Sequence, residues 1–533
     1  MPETGLVTVR EAVLDLLRAL DMTTVFGNPG STELGFLDRW PGDFRYVLGL
    51  QEASLMAMAD GFARASGRAA FVNLHSAAGL GHALGNVFTA FRNQAPVVIT
   101  AGQQARALLP NFPFLGASEA ASFPKPYVKF SVEPARAEDV PAAVAQAHAV
   151  AMQRPQGPVF VSIPSDDWGA RCAPVARRIV AQEVAPDPAL IAEAARLVAA
   201  ARRPVLVVGP EVDQEGAGAA MEALAARIGA PVFASPFASR LAFPEDHPLF
   251  AGFLAAAPQA VSEALSAHDV VLVVGAPVFT FHVPGDAAIF RSGTPIIQLT
   301  ADGAAAASAP AGTSIIGSLR LALPTLTAAL PASDRAPPPP RARTAPAPAH
   351  PIPAAWLLHR LRAAMPEDAI LVEEAPSHRP AMQAQMPMRR WGSFFTMASG
   401  GLGYSLPAAV GIALAKPGRR VVCLIGDGSM MYSPQALWTA VQHRLPLAVV
   451  VINNGGYGAM RAFSQVLQVR DVPGIDIGGI DFAALARSMG CEGVQVTRAE
   501  ALDATLERAM RSDAPMLVEV VVDAAIPTLY HKP

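Results

Sequence analysis

Two glycine-rich motifs in the last third of the chain carry residues suited to binding a metal ion and a phosphate. Gly426-Asp427-Gly428-Ser429 follows one apolar run, and Asn453-Asn454-Gly455-Gly456-Tyr457 follows the next. The carboxyl ends of parallel strands meet at one edge of a sheet, where open α/β sheets bind ligands. A helix expected to begin near Ser433 would direct unpaired N–H groups at a bound anion. Each motif alone is also an ordinary turn sequence without a ligand.

Together, the two motifs predict a metal-bound diphosphate. Mg²⁺ and Ca²⁺ prefer oxygen ligands, and Mg²⁺ usually bridges one or two protein groups to phosphate oxygens. Asp427, the side chain of Asn454 and a backbone carbonyl near Gly456 can supply the protein ligands. Gly426 and Gly428 beside the carboxylate would let the backbone approach the diphosphate closely.

Four further polar residues stand at turns or strand ends, and each has a structural explanation when taken by itself. Glu52 opens a helix, where the helix dipole favours an acid. His75 follows a strand and titrates in a useful pH range, although a lone histidine is more often structural. Ser31 follows a Pro-Gly turn and fits a helix N-cap. His282 ends a strand of the middle segment and could be an ordinary loop histidine.

The elements that must position these residues are short apolar strands alternating with helices. The clearest strands are Val97–Thr100, Val205–Val208, Val270–Val274 and Val421–Ile425. Continuously apolar strands are buried on both faces, as in parallel sheets covered by helices. Because single cores stop growing beyond roughly 250–300 residues, we predict an α/β fold with three doubly wound parallel-sheet domains.

Composition changes place the domain limits. The proline-rich stretch 332–353 predicts an extended linker, because proline fixes φ and removes a backbone donor. A softer break lies within 166–188. The predicted domains are therefore 1–180, 186–331 and 354–533. Stretches 71–100 and 421–453 repeat the order strand, loop, helix, strand, so the first and third domains are expected to be related.

Charge and composition exclude several classes of function. A net charge of −3 without a basic cluster argues against nucleic-acid binding. No apolar run approaches the ~20 residues of a membrane span, and the N-terminus lacks a signal-peptide pattern. Three cysteines without ligand-like spacing favour a reducing compartment. We expect a soluble cytoplasmic protein, and 52% hydrophobic residues favour a homo-oligomer.

The paired motifs resemble those of the thiamine-diphosphate-dependent decarboxylase superfamily. FGNPGSTEL, QEA, NLHSAAG and GAPVFTFH make the chain most similar to the benzoylformate decarboxylases. The similarity runs over nearly the full length, including AGQQ from 101, QGPV from 156 and GGLG from 400. It implies thiamine diphosphate with Mg²⁺ or another hard divalent cation such as Ca²⁺, and pyrimidine-binding, central and diphosphate-binding domains.

The resemblance further implies a carbon–carbon lyase that converts an aromatic or bulky 2-keto acid to an aldehyde and CO₂. Its active sites would lie between subunits of a homo-oligomer, expected to be a tetramer built as a dimer of dimers. Glu52 would bond the pyrimidine N1′ and promote loss of the thiazolium C2 proton. Ser31 would bind the substrate carboxylate, His75 would protonate or position the first adduct, and His282 would serve protonation and product release.

Other positions are carried over in the same way. Leu402 would be the aliphatic wedge that bends the cofactor, and Gly400 and Gly401 would leave room for the pyrimidine. Residues expected on the diphosphate side, with Gly426 and Gly428, are Ser377, Ser429, Tyr432 and Tyr457. Residues expected to line the substrate pocket are Leu108, Leu109, Met460 and Phe463.

The chain departs from the family pattern around this pocket. Thr396-Met397 and Ala462 stand where aromatic residues are expected, and the loop 108–118 is divergent. Benzoylformate, a larger aryl keto acid and a branched aliphatic keto acid therefore all remain candidate substrates.

Three alternative functions are open. The first is a carboligase of the acetolactate synthase type, a type that lacks a histidine at position 75. The second is a flavin-bearing oxidase with FAD in the middle segment, although 205–218 shows no G-x-G-x-x-G fingerprint. The third is a catalytically silent member that has kept the fold.

Overall fold

A computed structural model describes residues 5–525 and 528–529. It contains three units, each built on a six-stranded parallel sheet with helices on both faces. This arrangement confirms the predicted α/β class. The outer ends of the first and last predicted domains, 1–4, 526–527 and 530–533, lie outside the described residues. The domain limits at 180, 186, 331 and 353 remain predictions.

The first unit places its sheet strands in the order β3-β2-β4-β5-β7-β6, and β1 pairs with β8 beside that sheet. Its strands are β1 (Val7–Thr8), β2 (Thr24–Gly27), β3 (Arg45–Leu48), β4 (Ala70–Leu74), β5 (Val97–Gln103), β6 (Ser131–Val132), β7 (Val159–Pro164) and β8 (Arg171–Cys172). Its helices are α1 (Val9–Ala19), α2 (Leu34–Leu37), α3 (Glu52–Ser66), α4 (Ser76–Arg92) and α5 (Val140–Met152).

The central unit has the sheet order β11-β10-β9-β12-β13-β14. Its strands are β9 (Pro204–Val208), β10 (Val232–Ala234), β11 (Phe250–Phe253), β12 (Val270–Val274), β13 (Ile296–Thr300) and β14 (Thr313–Ile316). Its helices are α6 (Pro188–Ala200), α7 (Glu211–Gln214), α8 (Gly218–Ile228), α9 (Pro258–Leu265), α10 (Gly303–Ala307) and α11 (Leu319–Ala329).

The third unit has the sheet order β16-β15-β17-β18-β20-β19. Its strands are β15 (Ile370–Glu374), β16 (Phe394–Thr396), β17 (Val421–Gly426), β18 (Leu447–Asn453), β19 (Glu492–Val496) and β20 (Met516–Val521). Its helices are α12 (Ala354–Ala364), α13 (Arg379–Gln385), α14 (Ser405–Ala415), α15 (Asp427–Met430), α16 (Ala436–Gln442), α17 (Gly458–Val466), α18 (Phe482–Ser488) and α19 (Leu502–Arg511).

The first and third sheets share one topology. In both, the chain forms the second, first, third, fourth, sixth and fifth strands in spatial order. The strand order reverses between β2 and β4 in one unit and between β15 and β17 in the other. Such reversals open a crevice at the carboxyl ends of the strands. The repeat seen in the sequence therefore reflects two related units, each with a crevice.

Helices α3 and α14 join these two units at backbone distance. A Cβ added to Gly411 would lie 1.9 Å from the backbone oxygen of Met58, and one added to Gly61 would lie 2.3 Å from that of Ala408. Only glycine allows this approach, because any larger residue would force the helices apart. Both helices are buried along most of their length, so the contact is part of the shared core.

The stretch 332–353 has no helix or strand, as its prolines predicted. It is nevertheless held against the central unit by its arginines. Arg335 donates to the backbone oxygens of Ala201 at 2.6 Å and Ile228 at 2.7 Å. Arg341 lies over two aromatic rings of β11, with centroid distances of 5.5 and 5.2 Å. The linker is thus a fixed strap.

Candidate active site

A cavity of about 1290 Å³ opens at the carboxyl edge of the third sheet and extends to the central unit. It brings together predicted residues from both units. Those that line it are His282, Ser377, Gly400, Leu402, Gly426, Asp427, Gly428, Ser429, Asn454, Gly456, Tyr457, Met460 and Phe463. The predicted ligand edge and part of the predicted substrate pocket therefore share one space.

Asp427 lies at the reversal point between β15 and β17, with only 3% of its surface exposed. Its carboxylate accepts hydrogen bonds from the backbone N–H of Gly428 at 2.8 Å and of Gly456 at 2.9 Å. Burial raises the pKa of Asp427 despite these donors. A buried carboxylate needs a compensating charge, so this position suits a cation.

Glycines shape the same edge. A Cβ added to Gly428 would meet the Tyr457 ring at 2.4 Å, and one added to Gly458 would lie 2.7 Å from Asn454 Nδ2. The backbone can therefore approach a ligand where side chains would block it. The helix that follows the strand begins at Asp427, and the next one begins at Ala436. The expectation of a helix starting near Ser433 was wrong, because the chain forms a short helix first.

These residues fit a diphosphate with a divalent cation. Asp427, Asn454 and Gly456 line the same cavity beside glycines, and they carry one carboxylate, one amide oxygen and one backbone carbonyl. Within residues 5–525 and 528–529, no cluster of three or more His, Cys, Asp or Glu side chains could hold a metal. Such a cluster is not required by the predicted ligand set, which has one carboxylate.

The central and third units together contribute an aromatic wall. The His282 ring lies 4.7 Å from that of Phe463 and 5.7 Å from that of Phe237, both edge-on. The His282 backbone N–H donates to Ala256 at 2.8 Å, which fixes the loop after β12. An imidazole beside aromatic rings at the cavity edge can exchange protons with a bound molecule while the rings exclude water.

Glu52 lies outside this cavity, at the first turn of α3. It is 9% exposed. Its carboxylate accepts from Asn28 Nδ2 at 3.5 Å and lies 3.2 Å from His82 Nδ1. The Gln51 side chain caps the helix by accepting from Ser54 N–H at 3.0 Å. Because Gln51 caps the helix, the Glu52 carboxylate is available for other contacts.

His75 is held by Glu33, a residue that the sequence did not single out. The Nδ1 atom of His75 lies 2.9 Å from the Glu33 carboxylate, which is 1% exposed. A Cβ added to Gly30 would lie 1.9 Å from the same nitrogen. A carboxylate only accepts hydrogen bonds, so Nδ1 of His75 donates the hydrogen bond to Glu33.

Ser31, His75 and Glu52 all lie at the carboxyl ends of β2, β3 and β4. Ser31 opens a short 3₁₀ helix, Ser31–Glu33, and is exposed. Gly30 occupies the N-cap position there, so the N-cap explanation for Ser31 was wrong. The chain therefore forms two groups of candidate residues: one at the edge of the first sheet, one in the cavity.

Besides Glu52, His75 and Ser31, four further predicted residues do not line the cavity of this chain. Leu108 is 49% exposed and lies with Leu109 beside a 3₁₀ turn of the first unit. Gly401 is exposed, and its N–H donates to Ser399 Oγ at 3.1 Å. Tyr432 is 54% exposed and lies close to Tyr457, which does line the cavity.

The sequence-based prediction also did not name three residues near the site. Asn28 and His82 contact Glu52, and Glu374 is fully buried behind the cavity. Asn28 and Glu33 lie within the quoted FGNPGSTEL motif, so their proximity to Ser31 was an available signal. His82 falls one turn beyond the quoted histidine loop. Glu374 carried no signal, because an acid at the end of an apolar strand is usually solvent-facing.

None of the helices in residues 5–525 combines the length and apolar character that crossing a bilayer requires.

Comparison with known families finds three matches to thiamine pyrophosphate enzymes. The N-terminal TPP binding domain matches residues 7–122, the central domain 191–326, and the C-terminal TPP binding domain 377–520. The first and third matches fall on the two units that carry the two groups of candidate residues.

Individual relatives match over almost the whole chain. A benzoylformate decarboxylase from Pseudomonas aeruginosa is 44% identical, covering 96% of this chain and 98% of the relative. The crystal structure of benzoylformate decarboxylase from Polynucleobacter necessarius superposes with a TM-score of 0.96 at 39% identity, covering 97% of this chain and 99% of the other.

A third relative is the thiamine diphosphate-dependent 4-hydroxybenzoylformate decarboxylase of Rhodococcus jostii RHA1. It gives a TM-score of 0.94 at 42% identity, covering 97% of this chain and all of the other. Acetolactate synthases are more distant: the isozyme 2 large subunit of Escherichia coli is 28% identical, covering 96% of this chain and 95% of the relative.

Proposed function

Because the chain belongs to the thiamine pyrophosphate enzyme family, we propose that it decarboxylates an aromatic or bulky 2-keto acid to an aldehyde and CO₂ without oxidation. The single observation that carries this proposal is the shared cavity, in which Asp427 and Asn454 face the same space as His282 and Phe463. That space offers a place for a charged cofactor group beside an aromatic wall with a proton-exchanging side chain.

Bound thiamine diphosphate supplies the electron sink that lets the carboxylate carbon leave. Asp427, the amide oxygen of Asn454 and the carbonyl of Gly456 would hold Mg²⁺, or Ca²⁺ in its place, against the diphosphate. Ser429 and Ser377 would bond phosphate oxygens from the same edge.

The cavity walls would favour loss of CO₂. Decarboxylation removes a charge from the reacting group, so apolar walls with few polar atoms favour the product side. Phe463, Met460 and Leu402 provide such walls. His282 would deliver a proton after CO₂ has left, and its ring packing fixes where the proton arrives.

We propose that each active site is built from two copies of the chain. Glu52, His75 and Ser31 of one copy would meet the cavity of the other. Large apolar side chains surround that edge: Leu34 is 62% exposed, Leu50 49%, Phe112 94% and Phe114 85%. Exposed apolar area on this scale is typical of an interface. Pairing two such dimers would give the tetramer.

Leu108 and Leu109 would reach the substrate by the same route, from the neighbouring copy. Benzoylformate is the first substrate to test, followed by larger aryl and branched aliphatic keto acids. The cytoplasmic location remains a prediction from the sequence.

A carboligase is less consistent with the site than a decarboxylase. A ligase must keep the reacting carbon unprotonated until a second substrate arrives. His75, fixed by Glu33, and His282 in the cavity both favour protonation. The lower sequence identity to the acetolactate synthases than to the benzoylformate decarboxylases agrees with this preference.

A buried acid occupies the place where a flavin's diphosphate would lie in the central unit. Glu211 is 7% exposed at the reversal point between β9 and β12, where a dinucleotide diphosphate would lie. Its carboxylate accepts from Thr300 Oγ1 at 2.8 Å and Ala301 N–H at 3.0 Å. A Cβ added to Gly209 would lie 2.3 Å from the Gly275 oxygen, so the backbone segments after β9 and β12 approach each other closely there.

The deciding experiment measures CO₂ release from benzoylformate by the wild type and by two variants, Glu52→Gln and Asp427→Asn. Each variant alone should lose most of its activity at limiting thiamine diphosphate and Mg²⁺. Refolded or exchanged together, they should regain activity, because half of randomly mixed dimers carry one intact site of two, about a quarter of all sites.

Loss of C2 hydrogen–deuterium exchange on the cofactor in Glu52→Gln would assign its role separately. No recovery in the mixture, with both variants dimeric, would reject the two-copy site. A wild type that binds thiamine diphosphate but releases no CO₂ from any aryl or alkyl keto acid would reject the decarboxylase.

A further inference from the structure

Glu374, the last residue of β15, is fully buried and its carboxylate accepts three backbone hydrogen bonds. The donors are the N–H groups of Gly403 at 2.6 Å, Tyr404 at 2.9 Å and Ser405 at 2.6 Å. These are the residues that directly follow Leu402 and open α14. One side chain therefore holds the backbone of a loop that lines the cavity.

The arrangement replaces an ordinary helix cap. The first N–H groups of a helix lack partners within it, and a Ser, Thr, Asp or Asn at the N-cap usually supplies one. The N-cap of α14 is Tyr404, which makes no such bond. A carboxylate from a neighbouring strand does so instead, which links the position of the loop to the sheet edge that carries Asp427.

No cation offsets the charge of Glu374 among its described contacts. Its neighbour Glu373 is paired with Arg379, whereas Glu374 has backbone donors only. Burial raises the pKa of Glu374 to about 7. Holding an isolated buried charge is costly, so three well-formed hydrogen bonds are needed for it to remain ionised.

Gly403 is fixed from two sides. Its N–H donates to Glu374, and its carbonyl accepts from Ser433 Oγ at 2.8 Å. Its φ of +92° is unfavourable for other residues, and an added Cβ would lie 2.6 Å from Tyr432 Cβ. The peptide after Leu402 thus has one available geometry, set jointly by the β15 edge and the loop after Asp427.

We propose that Glu374 is a positioning residue that sets Leu402 against bound thiamine diphosphate and thereby determines the cofactor's bent geometry and affinity. The inference rests on the proposed function, because it requires the cofactor to bind beside Leu402. It goes beyond that function by giving a role to a carboxylate that touches neither cofactor nor substrate.

The test is Glu374→Gln. An amide has one acceptor oxygen and two N–H donors, so its NH₂ must face at least one of the three backbone donors. We expect thiamine diphosphate affinity, measured by titrating the apo-protein, to fall by at least about tenfold, the equivalent of one lost hydrogen bond to a charged group. The near-UV circular dichroism of the bound cofactor should also change.

Glu215→Gln is the matched control. Glu215 is also a buried carboxylate that accepts a helix N-terminal N–H, that of Leu319 at 2.8 Å; unlike Glu374 it also pairs with a cation, Arg154, at 3.2 Å, and it lies in the central unit away from the cavity. The Glu215→Gln substitution should lower the melting temperature about as much as Glu374→Gln does, and it should leave the thiamine diphosphate affinity and the dichroism band unchanged. A merely structural role of Glu374 would make the two variants alike.

Ser433→Ala provides a milder variant if Glu374→Gln does not fold. It removes the hydrogen bond from Ser433 Oγ to the Gly403 carbonyl, so it should also weaken cofactor binding. Wild-type affinity and dichroism in whichever variant folds would overturn the inference. Failure of the wild type to bind thiamine diphosphate would instead reject the proposed function, so the two failures are distinguishable.

Discussion

Glu33→Gln is expected to reverse the hydrogen-bonding polarity of His75. In the wild type, Glu33 Oε1 accepts from Thr32 Oγ1 at 2.7 Å and from Gly102 N–H at 2.9 Å, and Oε2 accepts from His75 Nδ1 at 2.9 Å. In glutamine, the amide oxygen must stay on the Thr32 and Gly102 side, because the Gly102 N–H can only donate. The NH₂ then faces His75, so in the neutral imidazole Nδ1 must accept and Nε2 must carry the proton.

The expected magnitude follows from this change in tautomer. A positioned acid or base contributes roughly 10²–10⁴-fold to a proton-transfer step. If Nε2 of His75 serves that step, kcat/KM for benzoylformate should fall by about 100-fold or more, near 3 kcal/mol of transition-state stabilisation. Thiamine diphosphate affinity should be unchanged, because no contact with the cavity edge is altered.

The assay compares Glu33→Gln with Glu33→Asp by steady-state CO₂ release, cofactor titration and ¹⁵N NMR of histidine-labelled protein. The aspartate variant keeps a carboxylate and should keep the Nδ1–H tautomer, with activity between the other two. Glutamine protein with wild-type activity and a wild-type nitrogen spectrum would refute the reasoning. An equal loss in both variants, with weakened cofactor binding, would indicate a structural role.

Three further substitutions, one of them with a control variant, test other parts of the structure. Asp427→Asn should weaken thiamine diphosphate binding more than about tenfold in calorimetric titration, with partial recovery at high Mg²⁺. If the variant binds the cofactor as tightly as the wild type whatever the Mg²⁺ concentration, Asp427 is not a metal ligand. Gly411→Ala should destabilise the protein by at least about 1–3 kcal/mol in denaturant unfolding, because its Cβ would overlap the backbone of α3. Gly85→Ala, a helix position with open space, should cost nothing or stabilise slightly. Burial raises the pKa of Glu211 to about 7, whereas the carboxyl group in the unfolded chain titrates at about 4.5. Between these two pH values only the folded state holds the proton. The free energy of unfolding therefore falls by roughly 3 kcal/mol as the pH rises from about 4.5 to about 7. Glu211→Gln should therefore flatten the fall in apo-protein melting temperature between pH 5 and 8, and an unchanged slope would contradict the assignment.

The sequence predicted the fold class because its strands were continuously apolar. Runs such as Val270–Val274 and Val421–Ile425 are strands almost to the residue. The motifs at Asp427 and Asn454 were correctly placed at one sheet edge, since strand ends and glycines mark such positions locally. These features depend on short-range patterns, which a single sequence displays.

The features that escaped prediction depend on contacts between distant parts of the chain. Glu33 becomes informative only when His75 is brought onto it, and Glu374 only when the loop at Gly403 folds over it. The helix after Asp427 is broken into two pieces, which the helical pattern did not reveal. The separation of the Glu52 and Asp427 groups likewise follows from how three units pack.

The strap at 332–353 affects how chimaeras of this chain with its relatives should be made. A crossover placed at 331, where regular structure ends, would separate Arg335 and Arg341 from the carbonyl groups and rings that they recognise. Recombinants that inherit the whole strap together with the central unit should keep those contacts. The natural breakpoint is therefore at the start of α12, not at the first proline.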